Sequence, residues 1–302
     1  TKATYDSTTL GTITNPQRKH TASGFTTPAE NNADGATVSS TATVTSTLTF
    51  NGWYQESGAT NKIASNATTP VLSASTAYTD ANGKWTNDGA VTLYAGWSTK
   101  AITLPTITKT GYTCGWTATS TGATSITYAS GLTTFKPTKN YTLYGVCTAN
   151  QYTVTLNGNG ATTAGSTSTK ATYGSTTLGT ITNPQRKYTV SGFTAPSGNK
   201  ADGATVSSTT TLTSTYTFNG WYKESGATNK IASNAATPAL QASTSYTDAN
   251  SKWTSTSNQT LYAGWSGQAK TLPTITKTNY TCKWAEGSAS GTQYDAGTTR
   301  TI

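Results

Sequence analysis

The chain has 302 residues but no methionine, one histidine and three cysteines, and charged residues make up only 10% of it. A single histidine and no Cys-x-x-Cys pair argue against a structural zinc site. No apolar run is long enough to span a membrane as a helix, and no signal-peptide pattern is present. The missing methionine fits an internal fragment of a longer chain. The net charge of +9 is spread thinly, without Arg/Lys clusters interleaved with aromatics. That excludes specific nucleic-acid recognition and leaves solubility, or weak attraction to anionic polymers, as the reading of the charge.

What is present points to strands. Thr, Ser, Gly, Asn and Ala dominate, yet there are 17 Tyr, 8 Trp and 5 Phe, more aromatic surface than a disordered stalk carries. Branched and aromatic side chains pack well on a pleated surface, so the composition predicts an all-β or mainly β protein. Alternation places individual strands. In QYTVTLN, Tyr152, Val154 and Leu156 point one way, and in VTLYAGW, Val91, Leu93 and Ala95 alternate with Thr92 and Tyr94. DANGK (80–84) predicts a two-residue hairpin loop through Asn82-Gly83, and the second copy has Ser251 there. The best helix candidate is 61–75, for one or two turns.

Self-comparison is the most informative step. Thr1 returns as Thr169 and Cys114 as Cys282, with a constant offset of 168 residues. TFNGWYQESGATNKIASNATTP (49–70) becomes TFNGWYKESGATNKIASNAATP (217–238). A shorter echo lies within each long unit. QYTVTLNGNGAT through TFNGWY to TLYAGW forms a larger part, and LPTITKTGYTCGW (104–116) to NYTLYGVC (140–147) a smaller one. The larger part carries what reads as an inserted hairpin, turning at Asp34-Gly35. The expected boundaries are 1–98 for a larger module lacking its first strand, 99–150 for a small one, 151–266 for a complete larger copy and 267–302 for a truncated small one.

Cys114 stands where the larger part has Phe50, and Cys147 where it has Trp97. If the two parts share a fold, an aromatic contact at 50 and 97 is exchanged for a disulfide at 114 and 147. About fifty residues poor in aliphatics bury little apolar surface, and such a crosslink could stabilise them by roughly 3–4 kcal/mol. Two buried free thiols are the alternative. A disulfide implies an oxidising compartment. Cys282 repeats Cys114, its partner is expected beyond Ile302, and it is read as unpaired by truncation. An intermolecular bridge through Cys282 is the minor alternative.

Candidate chemistry is sparse. His20 is replaced by Tyr188 in the second copy, Asp6 by Gly174, Glu30 by Gly198 and Asp88 by Thr256. Only Asp34/Asp202, Glu56/Glu224 and Asp80/Asp248 recur, the first and last in predicted turns where Asp bonds local backbone. No catalytic, cofactor or metal site is predicted, and the chain reads as a non-enzyme. Lys62/Lys230 beside Asn61/Asn229, with Glu56/Glu224 nearby, is the one constellation for an isopeptide bond, against a solvated loop. Trp85 and Trp253 follow a turn and a lysine. Partly exposed, they would stack on a sugar face, which keeps a carbohydrate-binding reading open beside core packing.

The motifs NPQRKYTVSGF, TFNGWY and TLYAGW resemble the bacterial internalin-type B-repeat, or Listeria–Bacteroides repeat. LNGNGAT (156–162) resembles its opening strand, and KTGYTCGW with YTLYGVC a shortened relative carrying the cysteines. The resemblance implies small β-grasp-like modules in tandem, secreted or wall-attached, acting as spacers, stalks or adhesive arms, with no catalytic residues. The expectation is therefore an elongated extracellular array on a bacterial surface, or secreted, alternating larger aromatic-cored and smaller disulfide-closed modules. Its partners would be neighbouring repeats, a host glycan or protein, or other copies in a filament.

Overall fold

A computed structural model describes residues 1–26, 42–120, 123–193, 210–288 and 290–301. The chain divides into two compact units, Thr1–Thr148 and Ala149–Ile302. Among the described residues every regular element is a strand. The predicted turns at Asp34 and Asp202 lie outside the described residues.

Unit 1 contains β1 (Lys19–Thr26), β2 (Thr43–Thr47), β3 (Thr49–Tyr54), β4 (Lys62–Ala64), β5 (Tyr94–Ser98), β6 (Tyr112–Thr117), β7 (Tyr128–Ala129) and β8 (Tyr141–Ala149). They form a five-stranded sheet, β2-β1-β8-β6-β7, and a three-stranded sheet, β4-β3-β5. Unit 2 contains β9 (Gln151–Asn157), β10 (Ser168–Thr172), β11 (Lys187–Ser191), β12 (Thr211–Thr215), β13 (Thr217–Tyr222), β14 (Lys230–Ala232), β15 (Gln259–Ser266), β16 (Ala269–Thr271), β17 (Lys283–Ala285), β18 (Gln293–Asp295) and β19 (Thr299–Thr301). Its main sheet runs β10-β9-β15-β13-β14, with two-stranded pairs β11-β12, β16-β19 and β17-β18.

The two five-stranded sheets have the same topology. In each, an antiparallel hairpin leads, its first strand pairs in parallel with the closing Thr-Leu-Tyr strand, and two further strands follow. β1 thus does for β8 what β9 does for β15. A side-chain rung repeats as well. Thr21 N–H donates to Asn140 Oδ1 at 3.0 Å, and Thr153 N–H donates to Asn258 Oδ1 at 2.8 Å. The hairpin read as an insertion within 1–98 therefore hydrogen-bonds to β8, which lies within 99–150, so this sheet crosses the expected boundary between them. Unit 2 keeps a matching ring contact, with Phe193 5.1 Å from Trp284 where Phe25 is 5.0 Å from Trp116.

Each core combines inward-facing strand residues with side chains from the connecting segments. The unit 2 core gathers Val154, Leu156, Trp221, Ile231, Trp253 and Leu261, and the β1–β8 sheet gathers Phe25, Leu104, Ile107, Trp116 and Leu143. The recurring glycines have steric reasons. A Cβ on Gly52 (φ +121) would stand 2.4 Å from the Ala64 carbonyl oxygen, and one on Gly96 would stand 2.1 Å from the Tyr54 ring. The helix expected at 61–75 is replaced by β4 and turns. Ile63 is wholly buried, and Ser65 N–H bonds to the Val71 carbonyl instead of continuing a helical ladder.

Candidate functional site

The disulfide forms between Cys114 on β6 and Cys147 on β8, adjacent strands with Cα atoms 4.1 Å apart. In the sheets β4-β3-β5 and β10-β9-β15-β13-β14 the corresponding positions hold ring pairs. Phe50 and Trp97 are register partners with centroids 5.5 Å apart, and Phe218 and Trp265 lie 5.4 Å apart. Covalent and aromatic crosslinks thus occupy the same place in related sheets. Cys282 is a free, half-buried thiol.

Trp85 and Trp253 correct an expectation. They are 4% and 0% exposed, so neither presents a face to a sugar. Each indole N–H donates to a carbonyl two residues on, Asn87 or Ser255, and each ring lies against Tyr78 or Tyr246. The loop that follows each of these two residues thus satisfies an indole N–H that burial removes from water.

Two of the recurring acid pairs, Glu56/Glu224 and Asp80/Asp248, hold loops. Glu56 Oε1 accepts from Thr60 Oγ1, from Asn61 N–H at 3.1 Å and from Asn61 Nδ2 at 2.6 Å, and Glu224 is held the same way by Thr228 and Asn229. The Thr60 hydroxyl first, then the Asn61 donors, hold the Glu56 carboxyl below its ordinary range, and Thr228 does so first for Glu224. Asp80 Oδ1 accepts from Asn82 and Lys84 backbone N–H groups, both at 2.8 Å, and the Lys84 bond is the main cause of its lowered pKa. This loop also differs from expectation. Asp80 N–H bonds to the Lys84 carbonyl, so three residues form the turn, with Gly83 in the left-handed position at φ +73. Lys62 and Lys230 are exposed, and Asn61 and Asn229 are engaged by the glutamates, which leaves the isopeptide constellation unassembled. His20 is 8% exposed on β1.

A groove of about 780 Å³ lies in unit 1, lined by Leu10, Ile13, Trp53, Trp85, Val91 and Leu93 and bordered by residues 1–4. Nothing in residue types alone signalled it. A smaller one of about 270 Å³ lies in unit 2 beside Leu156, Pro184 and Trp221. Among the described residues no group of three His, Cys, Asp or Glu could hold a metal ion, and no helix is long and apolar enough to cross a membrane.

No curated protein and no solved structure matches the chain. Residues 187–244, which include β11 to β14 and repeat residues 19–76, match the family model of the Listeria-Bacteroides repeat domain.

Proposed function

We propose that residues 1–302 are a structural repeat region of an extracellular bacterial surface or secreted protein, acting as a stalk, spacer or fibre segment of an adhesin. The family, typical of bacterial surface proteins, supports this setting, and so does a disulfide, which persists outside reducing compartments. The parallel pairing of opening and closing strands in each five-stranded sheet supports reading the modules as β-grasp-like.

One observation carries the mechanical reading. What recurs after 168 residues is packing and turn chemistry: the Phe–Trp ring pairs, the Trp–carbonyl bonds, and carboxylates tied up by loop donors. Residues able to do other chemistry change between copies, as His20 does to Tyr188. A repeated active site would keep its acids free and aimed at a cleft, whereas these hold the chain in shape. Small-angle scattering of the purified chain tests the proposal. An elongated particle is expected, and a compact globule would overturn it.

A further inference from the structure

We propose that the outer face of β14-β13-β15, and its repeat on β4-β3-β5, is a binding platform for an acidic polysaccharide. One uronate-type sugar unit would sit on the Tyr222 ring with its carboxylate on the Lys230 ammonium. The platform starts from two glycines. Gly220 and Gly264 are register partners on β13 and β15, and both are buried although they lie on the face away from the core. Tyr222 and Lys230, themselves register partners, cover them. The Tyr222 ring lies across Gly264, where a Cβ would overlap it, and Lys230 Cε is 3.0 Å from where a Cβ on Gly220 would stand. Both side chains thus lie along the sheet instead of standing off it. In unit 1 Tyr54 lies across Gly96 in the same way, and Lys62 Cε is 2.8 Å from the place of a Cβ on Gly52.

A ring settled on backbone keeps its other side for a ligand. Tyr222 and Tyr54 are half-buried, while Lys230 and Lys62 are exposed. Tyr262 stands opposite Tyr222 on β15 and adds a second ring. Two residues beyond Gly264, Ser266 Oγ accepts from Asn219 Nδ2 at 2.7 Å, which sets an amide and a hydroxyl at the end of the same face. Such a surface suits a sugar, whose C–H side packs on a ring and whose hydroxyls pair with amide and hydroxyl groups. Charge selects the kind of sugar. Among the described residues the ion pairs are Lys84–Asp6 and Lys283–Asp295, so neither Lys230 nor Lys62 has a carboxylate of its own. Glu224, six residues before Lys230, has Oε1 engaged by Thr228 and Asn229. The net charge of +9 draws in a polyanion from a distance.

The sheet that holds the disulfide shows that the fold itself does not need this ring. There the residue after the buried Trp116 is Thr117 in place of tyrosine, and the residue before Cys147 is Val146 in place of glycine. These two are 1% and 2% exposed. The chain closes this face by itself: a Cβ on Gly115 would overlap Ile126 Cγ2, and the Thr117 and Thr127 hydroxyl oxygens are 3.2 Å apart. Related strands thus carry either a self-covered aliphatic face or a ring and an ammonium turned to solvent. The second arrangement is the one that can hold a ligand.

The test is a calorimetric titration of the full chain with oligogalacturonate, with neutral dextran oligomers and inorganic polyphosphate as the other probes. Saturable binding of oligogalacturonate is expected, with weaker binding of both other probes. Lys62→Gln with Lys230→Gln keeps the stems over the glycines and removes the charges, and should weaken oligogalacturonate binding about tenfold. Tyr54→Leu with Tyr222→Leu keeps an apolar cover and removes the rings, with a similar expected loss, whereas Tyr54→Phe with Tyr222→Phe should bind within about twofold of the natural chain. Thermal melts check that each variant folds. If the leucine pair does not, the lysine pair, at exposed positions, still decides. No saturable binding, or unchanged binding by the lysine pair, would overturn the assignment. So would polyphosphate binding as tightly as oligogalacturonate, because charge alone would then account for it, and so would dextran binding as tightly, because the carboxylate would then play no part. The platform does not rest on the stalk reading, since scattering reads shape and the titration reads this face.

Discussion

Phe25 on β1 meets Trp116 on β6 edge to face, with ring centroids 5.0 Å apart, and both side chains are almost wholly buried. The contact joins a hairpin from one stretch of sequence to a sheet formed from another, and the parallel ladder of β1 with β8 carries the same connection. The larger and smaller sheets are therefore threaded through one another along the chain.

If that hairpin is part of the core, truncating its anchor is costly. Phe25→Ala should destabilise unit 1 by about 3–5 kcal/mol, the usual range for a buried phenylalanine. Tyr5→Ala, at a ring 63% exposed, should change stability by less than about 0.5 kcal/mol. Guanidinium unfolding of both variants checks this. Equal midpoints would show the hairpin to be an appendage.

The disulfide should matter to the same sheet. Cys114→Ala with Cys147→Ala, or reductant on the natural chain, should cost roughly 3–4 kcal/mol, since the bond closes a separation of 33 residues. The midpoint shift with and without dithiothreitol reads this. The double variant should be insensitive to reductant at this site.

Much of this was legible in the sequence for a physical reason. A strict period and strand alternation align positions, so Phe50 and Trp97 could be paired, and the cysteines at matching places with them. The parentage of the hairpin was not legible. In the first copy its leading strand is KHTAS, in which His20 and Ala22 blur the apolar alternation. Only KYTVS of the second copy echoes QYTVT. Alternation also says which face a residue takes, not which distant strand it joins. Trp85 misled because a turn with a lysine suggests exposure, whereas the Asn87 carbonyl satisfies its indole N–H and makes burial affordable.

The turn after Asp80 and Asp248 gives a test on the backbone. Gly83 takes φ +73, and Ser251 is held at φ +59 in the same place. A side chain there meets its following carbonyl, which costs about 1–2 kcal/mol against glycine, partly offset by the freedom glycine adds to the unfolded chain. Ser251→Gly should therefore raise the stability of unit 2 by about 0.5–1 kcal/mol, and Gly83→Ser should lower that of unit 1 by a similar amount. Thermal melts of the two variants check the opposite signs. Shifts of the same sign would mean the turn relaxes around its occupant.

Acid should loosen the loops held by carboxylates. Glu56, Glu224 and Asp80 have folded pKa values below their ordinary ones, each lowered chiefly by a hydrogen-bond donor: the Thr60 hydroxyl, the Thr228 hydroxyl and the Lys84 N–H. A group whose folded pKa is depressed contributes stability that is fully present above its unfolded pKa, about 4.3 for Glu and 3.9 for Asp, and lost as pH falls through the lower folded value. The melting temperature should stay level from neutral pH to about 5 on this account and fall below about 4. Glu56→Gln with Glu224→Gln keeps the side-chain shape and can still accept from Asn61 and Asn229. It removes two of the three titrating groups, so the melting temperature of the variant should start lower near neutrality and fall less steeply in acid. Melts from pH 7 down to about 2.5 distinguish the outcomes. Parallel curves for the two proteins would mean that these carboxylates, though bonded in the folded chain, carry no part of its acid sensitivity.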